Sequence, residues 1–102
     1  MNSYNKYTDL QINELVATRL KKKCLLTEES VLAYMDSGYR TFAPCNNPTD
    51  AMPIIIENEI SMIKSSGGWL CCHGSVGLVE RESLYRGAME VFLMMKDAEN
   101  EG

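Results

Sequence analysis

The sequence lacks any apolar run long enough to cross a bilayer: its densest stretch, Val91 to Met95, falls far short of the roughly 20 residues a spanning helix needs. The opening Met1-Asn2-Ser3-Tyr4-Asn5-Lys6 has no basic region leading into an apolar one, so no secretory signal is expected and the chain reads as cytosolic. Cys24, Cys45, Cys71 and Cys72 show no CxxC spacing, and in a reducing compartment they are most simply free thiols. A P-loop, a GxGxxG turn and a nucleophile elbow are all missing. Positive charge is also short: 14 acidic residues against 10 basic ones leave a formal charge of −4, which repels a phosphate backbone and argues against strong nucleic-acid binding.

What is present fits one domain of 102 residues. Hydrophobic residues make up 45%, enough to build a core and to exclude wholesale disorder. A chain of this size buries only roughly 60–65% of its unfolded surface, so a second copy would add stability and self-association is expected. The sole basic cluster, Arg19 to Lys23, reads first as the cap of a helix end rather than a nucleic-acid patch.

Helix signals open the chain. Thr8 with Gln11 forms a capping box, Tyr7 and Ile12 sit where a hydrophobic staple would close, and Ile12, Leu15, Val16 and Leu20 make one apolar stripe. From Glu28 to Phe42 a hairpin about Asp36-Ser37-Gly38 is favoured, with Gly38 in the left-handed position. A short helix capped by Thr27 is the rival reading. Asn47-Pro48-Thr49-Asp50 is a helix start, and Pro53 should leave that helix kinked or short. Ile60 to Lys64, a turn at Ser65-Ser66-Gly67-Gly68, and Trp69 to His73 read as a second hairpin. A last helix is expected from about Ser83 to Asp97, buried along Leu84, Ala88, Val91, Phe92 and Met95, with Gly87 marking a close backbone approach. The expected fold is α+β: helix, hairpin, helix, hairpin, helix, with a roughly four-stranded antiparallel sheet, helices on one face, and flexible ends at about 1–6 and 98–102.

No catalytic residues stand out, and no enzyme is expected. On a strand, Cys71 and His73 share a face, but with a distant Cys45 they fall short of the four or so ligands of a zinc site, so neither metal nor cofactor is expected. Binding candidates are few. The helix start at Asn47 and Thr49 offers backbone donors to an anion, although Asp50 can satisfy them itself. Trp69 and Tyr85 can stack on planar rings and Arg86 can grip phosphate, against the plainer readings of core packing and an ion pair to Asp50 or Glu82.

The run Pro44-Cys45-Asn46-Asn47-Pro48-Thr49-Asp50-Ala51-Met52-Pro53-Ile54-Ile55-Ile56-Glu57-Asn58, with Ile60-Ser61, Trp69, the closing Arg86 to Met95 and the opening Asp9 to Ala17, resembles the NinX family of phage proteins over most of the chain. Departures are mild: Ser83-Leu84-Tyr85 stands where such proteins show Asn-Pro-Leu, and Met52 replaces a tryptophan before the second proline. The resemblance implies an accessory protein of a tailed phage or prophage, made in the host bacterial cytoplasm, and no established activity. The first expectation is a non-enzymatic anti-defence protein that sequesters a small nucleotide-type host signal through Asn47, Thr49, Trp69, Tyr85 and Arg86. The alternative is a protein-interaction module that modulates a host or phage protein, and the third reading is a small hydrolase. A ligand binder should join aromatic and basic groups in one pocket, whereas an interaction module should expose an apolar patch.

Overall fold

The computed structural model describes residues 3–101. A single 3-10 turn, Tyr4–Lys6, precedes helix α1, Asp9–Arg19. The capping box forms as read: Gln11 donates its amide to the Thr8 hydroxyl at 3.1 Å, and Thr8 donates its own to the Gln11 side chain at 2.8 Å. The helix ends without glycine. Lys21 takes a left-handed φ of 59°, and the amides of Lys21 and Lys22 fold back on the carbonyls of Thr18 and Ala17. That pattern is a Schellman closure.

Strands β1 (Cys24–Leu26), β2 (Val31–Met35) and β3 (Gly38–Thr41) form an antiparallel meander, here sheet A. The hairpin reading of residues 31–42 therefore holds, but the left-handed residue of its turn is Asp36, at φ 56°, not Gly38. A short polar side chain tolerates that conformation better than most. Helix α2, Pro48–Glu57, is capped by Asn47, starts with proline and runs ten residues through Pro53. It closes as α1 does, with Glu59 left-handed at 55° and the amides of Glu59 and Ile60 on Ile56 and Ile55.

Strands β4 (Ser61–Ser65), β5 (Gly68–His73) and β6 (Gly77–Arg81) form a second meander, sheet B. Gly68 sits at φ +134°, and a side chain there would lie 2.3 Å from the Arg81 carbonyl oxygen. His73 holds the β5–β6 turn: its Nδ1 accepts the Ser75 amide at 3.1 Å. The expected single sheet of roughly four strands is thus corrected to two three-stranded sheets. Reading two hairpins missed β1, which is only three residues long between lysines and a polar loop, and β6, which each complete a meander.

Helix α3, Leu84–Glu101, is the centre of the domain, packed against α1, α2 and sheet B. Every residue from Gly87 to Leu93 is buried. An amphipathic stripe was the expectation; burial on all sides is the result, because helices and sheet wrap the same turns. At Gly87 the close neighbour is a side chain rather than the expected backbone: a Cβ there would meet Cys71 Sγ at 3.0 Å. The two ends also meet. Tyr4 is buried and donates its hydroxyl to Asp97, which also takes Arg19 at 2.8 Å, so the first turn and the last helix hold each other. Of the ends read as flexible, residues 1–2 and 102 lie outside the described residues.

Candidate functional site

The binding residues expected from the sequence do not converge on one site. Arg86, one turn into α3, is spent on the fold. Its guanidinium donates to Glu90 at 2.7 Å, to Asp9 at 2.8 Å, and to the carbonyls of Tyr4 and Tyr7 at 2.9 and 2.6 Å. Burial opposes its charge, but the bonds to Asp9 and Glu90 outweigh that, and its pKa moves up. Glu90 is fully buried and also takes a two-pronged contact from Arg81, at 2.9 Å on each oxygen. The row Arg81–Glu90–Arg86–Asp9 alternates in sign, so each buried charge has an opposite neighbour. An ion pair was one of the two sequence readings of Arg86, but its partners are Asp9 and Glu90; Asp50 accepts the Ala43 amide at 2.9 Å instead.

Asn47 and Thr49 are likewise occupied with each other, the Thr49 amide donating to the Asn47 side chain at 2.9 Å. Asp9 bridges this corner to Arg86, since its second oxygen accepts from Asn46 at 3.2 Å. Arg86 lines a hollow of about 490 Å³ with Asn5, Glu80, Arg81, Glu82 and Ser83; none of its lining among the described residues is aromatic, and Asn47, Trp69 and Tyr85 lie outside it. Thr49 lines a different groove of about 370 Å³, floored by Phe42, Met35 and Ile54, where cations and carboxylates balance. Trp69 and Tyr85 are half-buried against the core, and the Lys64 ammonium lies 5.5 Å from the Trp69 ring centre.

Burial pushes the Cys45 thiol up to about 12 and the Cys71 thiol up to about 11, the wrong direction for a reactive thiolate. Among the described residues no group of His, Cys, Asp and Glu is placed to hold a metal, and no helix is long and apolar enough to cross a membrane.

What the sequence reading overlooked is the outer face of each sheet. Side chains alternate along a strand, so the registers Leu25↔Leu32↔Thr41 and Tyr34↔Tyr39 put these five on one face of sheet A, opposite buried Val31 and Ala33. Leu25, Tyr34 and Tyr39 are 51%, 46% and 37% exposed. The two tyrosine rings meet edge-on at 5.3 Å, and the Lys23 ammonium stands 5.6 Å from the Tyr34 ring centre. On sheet B the outer face carries Ile63, Leu70, Cys72 and Leu78, opposite buried Cys71 and Val79; Ile63 is 53% and Leu78 63% exposed. The signal was in the sequence as alternation with apolar residues on both phases, which a core-seeking reading assigns wholly to the interior. Compared with protein-family models, curated proteins and solved structures, the chain matches none of them.

Proposed function

We propose that this chain is a non-enzymatic interaction module, a phage accessory protein of the NinX type working in the host bacterial cytoplasm, that docks a protein through the outer face of sheet A. One observation carries the reading: Leu25, Tyr34 and Tyr39 stand exposed together on a sheet whose other face is already used by the core. Clustered aromatic and aliphatic side chains with one cation are the composition of an interface centre, where rigid rings give contact area at little entropic cost. Capture of a nucleotide-type signal draws less support, because Arg86 and Asn47 already spend their polar groups on the fold.

The test is affinity purification from host cells making either the wild type or the Leu25→Glu/Tyr34→Glu variant. The expected result is a protein held by the wild type and lost by the variant while circular dichroism shows an unchanged fold. A protein retained equally by both would remove the role of this face. A rise in wild-type melting temperature with a cyclic or linear nucleotide, abolished by Arg86→Ala, would restore the sequestration reading.

A further inference from the structure

The two outer faces carry opposite charge. Lys23 lies two residues before Leu25 and stands over the Tyr34 ring, so the face of sheet A holds one cation and no anion. Glu28 and Glu29 belong to the loop between β1 and β2, and Asp36, 3.7 Å from the Arg40 guanidinium, to the turn between β2 and β3. On sheet B, Glu80 pairs with Leu70 and shares the side of Ile63 and Leu78, so that face holds one anion and no cation. Its other polar members are Ser61 and Ser65, and the Ser65 hydroxyl donates to Glu80 at 2.6 Å, which fixes the carboxylate over the sheet. Lys64 points to the opposite side, toward Trp69.

We infer that the occupant of the sheet A face is a second copy of this chain, presenting its sheet B face, with Lys23 of one copy opposite Glu80 of the next. This rests on the interaction reading above and names its partner. Like-on-like pairing leaves each Lys23 or each Glu80 without an opposite charge, whereas unlike pairing joins apolar to apolar and cation to anion. Each face is small, three strands about 4.8 Å apart and about five residues long at roughly 3.3 Å each. That is well under the roughly 800 Å² per partner of a standard interface, so one such contact is weak. A head-to-tail contact gives every copy two of them once the assembly closes, and the product is a ring rather than a two-fold dimer.

Charge exchange tests this directly, read by light scattering across a dilution series. The wild type is expected to run as a small closed multiple that loosens as salt rises. Lys23→Glu alone and Glu80→Lys alone should each raise the dissociation midpoint about tenfold, the effect of like charges meeting at a rim. Mixing these two variants, or combining both changes in one chain, should restore assembly, because each opposed pair is again of unlike sign. Should a reversal unfold the chain by circular dichroism, Lys23→Gln and Glu80→Gln serve with a smaller loss. A wild type that stays monomeric at the highest soluble concentration overturns the inference, as does disruption by Lys23→Glu with no effect of Glu80→Lys. In either case the docking reading still stands if host-protein capture depends on Leu25 and Tyr34. Docking itself fails if Leu25→Glu/Tyr34→Glu alters neither assembly nor capture.

Discussion

Sheets A and B share a plan, three short antiparallel strands with one face inward, yet they are fastened to the domain by different means. Sheet A rests on small aliphatic side chains of β2, Val31 and Ala33, packed beside α1. Sheet B is fastened by charge and by close approach. Arg81 at the end of β6 reaches buried Glu90, Cys71 fits against Gly87, and Gly68 lets β5 pass the Arg81 backbone. The contrast teaches that one strand pattern can be anchored by burial alone or by a non-local polar network, and only the first leaves a periodic trace.

The largest effect should come from that network. Glu90→Ala leaves two arginines facing an emptied, dry site, and loss of one partner of a buried pair costs about 3–5 kcal/mol. At roughly 4–8 °C per kcal/mol for a domain of this size, melting should fall by about 12 °C or more. Asp9→Ala removes a half-exposed member and should cost about 1 kcal/mol. Equal losses for the two in urea titration would mean that sheet B has no special anchor.

The turns should respond with opposite signs. Gly68→Ala forces a side chain into a left-handed residue and onto the Arg81 carbonyl, at a cost on the order of 2–3 kcal/mol. Asp36→Gly in sheet A relieves a left-handed residue in open solvent and should stabilise by up to about 1 kcal/mol. Denaturation midpoints that shift the same way for both would break the comparison.

High pH should loosen the core, from β5 of sheet B to the turns before α1 and α2. The thiols of Cys45 and Cys71 stand at about 12 and 11 in the fold against an ordinary 9.0, and burial with the bond to Asp97 lifts Tyr4 to about 12 from 10.0. Folded values lie above unfolded ones, so the unfolded chain releases its protons first. The stabilisation is full below about pH 9 and is lost progressively from there to about pH 12. Urea midpoints measured at rising pH should fall over that window, and Cys45→Ala should flatten the slope.

The smallest effects belong to the outer faces. Leu25→Ser and Ile63→Ser should each move stability by no more than about 0.5 kcal/mol, since neither contributes to the core. A larger loss in dilute monomer would mean that these faces serve the fold rather than a partner.

Much of the fold was legible because its signals are local. Thr8 and Gln11 are three residues apart, Asn47 and Pro48 are adjacent, and their caps form whatever surrounds them. Hairpins at residues 31–41 and 61–73 were readable for the same reason. The ends of α1 and α2 were not, because Lys21 and Glu59 occupy left-handed positions that sequence reading reserves for glycine. The site was barely legible: Arg86 was singled out as a phosphate grip or an ion pair to Asp50 or Glu82, but its partners Asp9 and Glu90 are 77 residues before it and 4 after it.

By itself the sequence determined the chain's class, an α+β domain, the starts of α1 and α2, and the two turns about which the sheets fold. Those features depend on backbone groups satisfied within a few residues, and short-range physics fixes them. Tertiary structure alone decided that the strands form two meanders, that residues 87–93 of α3 are buried on every side, that Arg86 is an internal tie, and which apolar residues are left facing water. These depend on which surfaces meet after collapse, a competition among distant groups that no local pattern encodes.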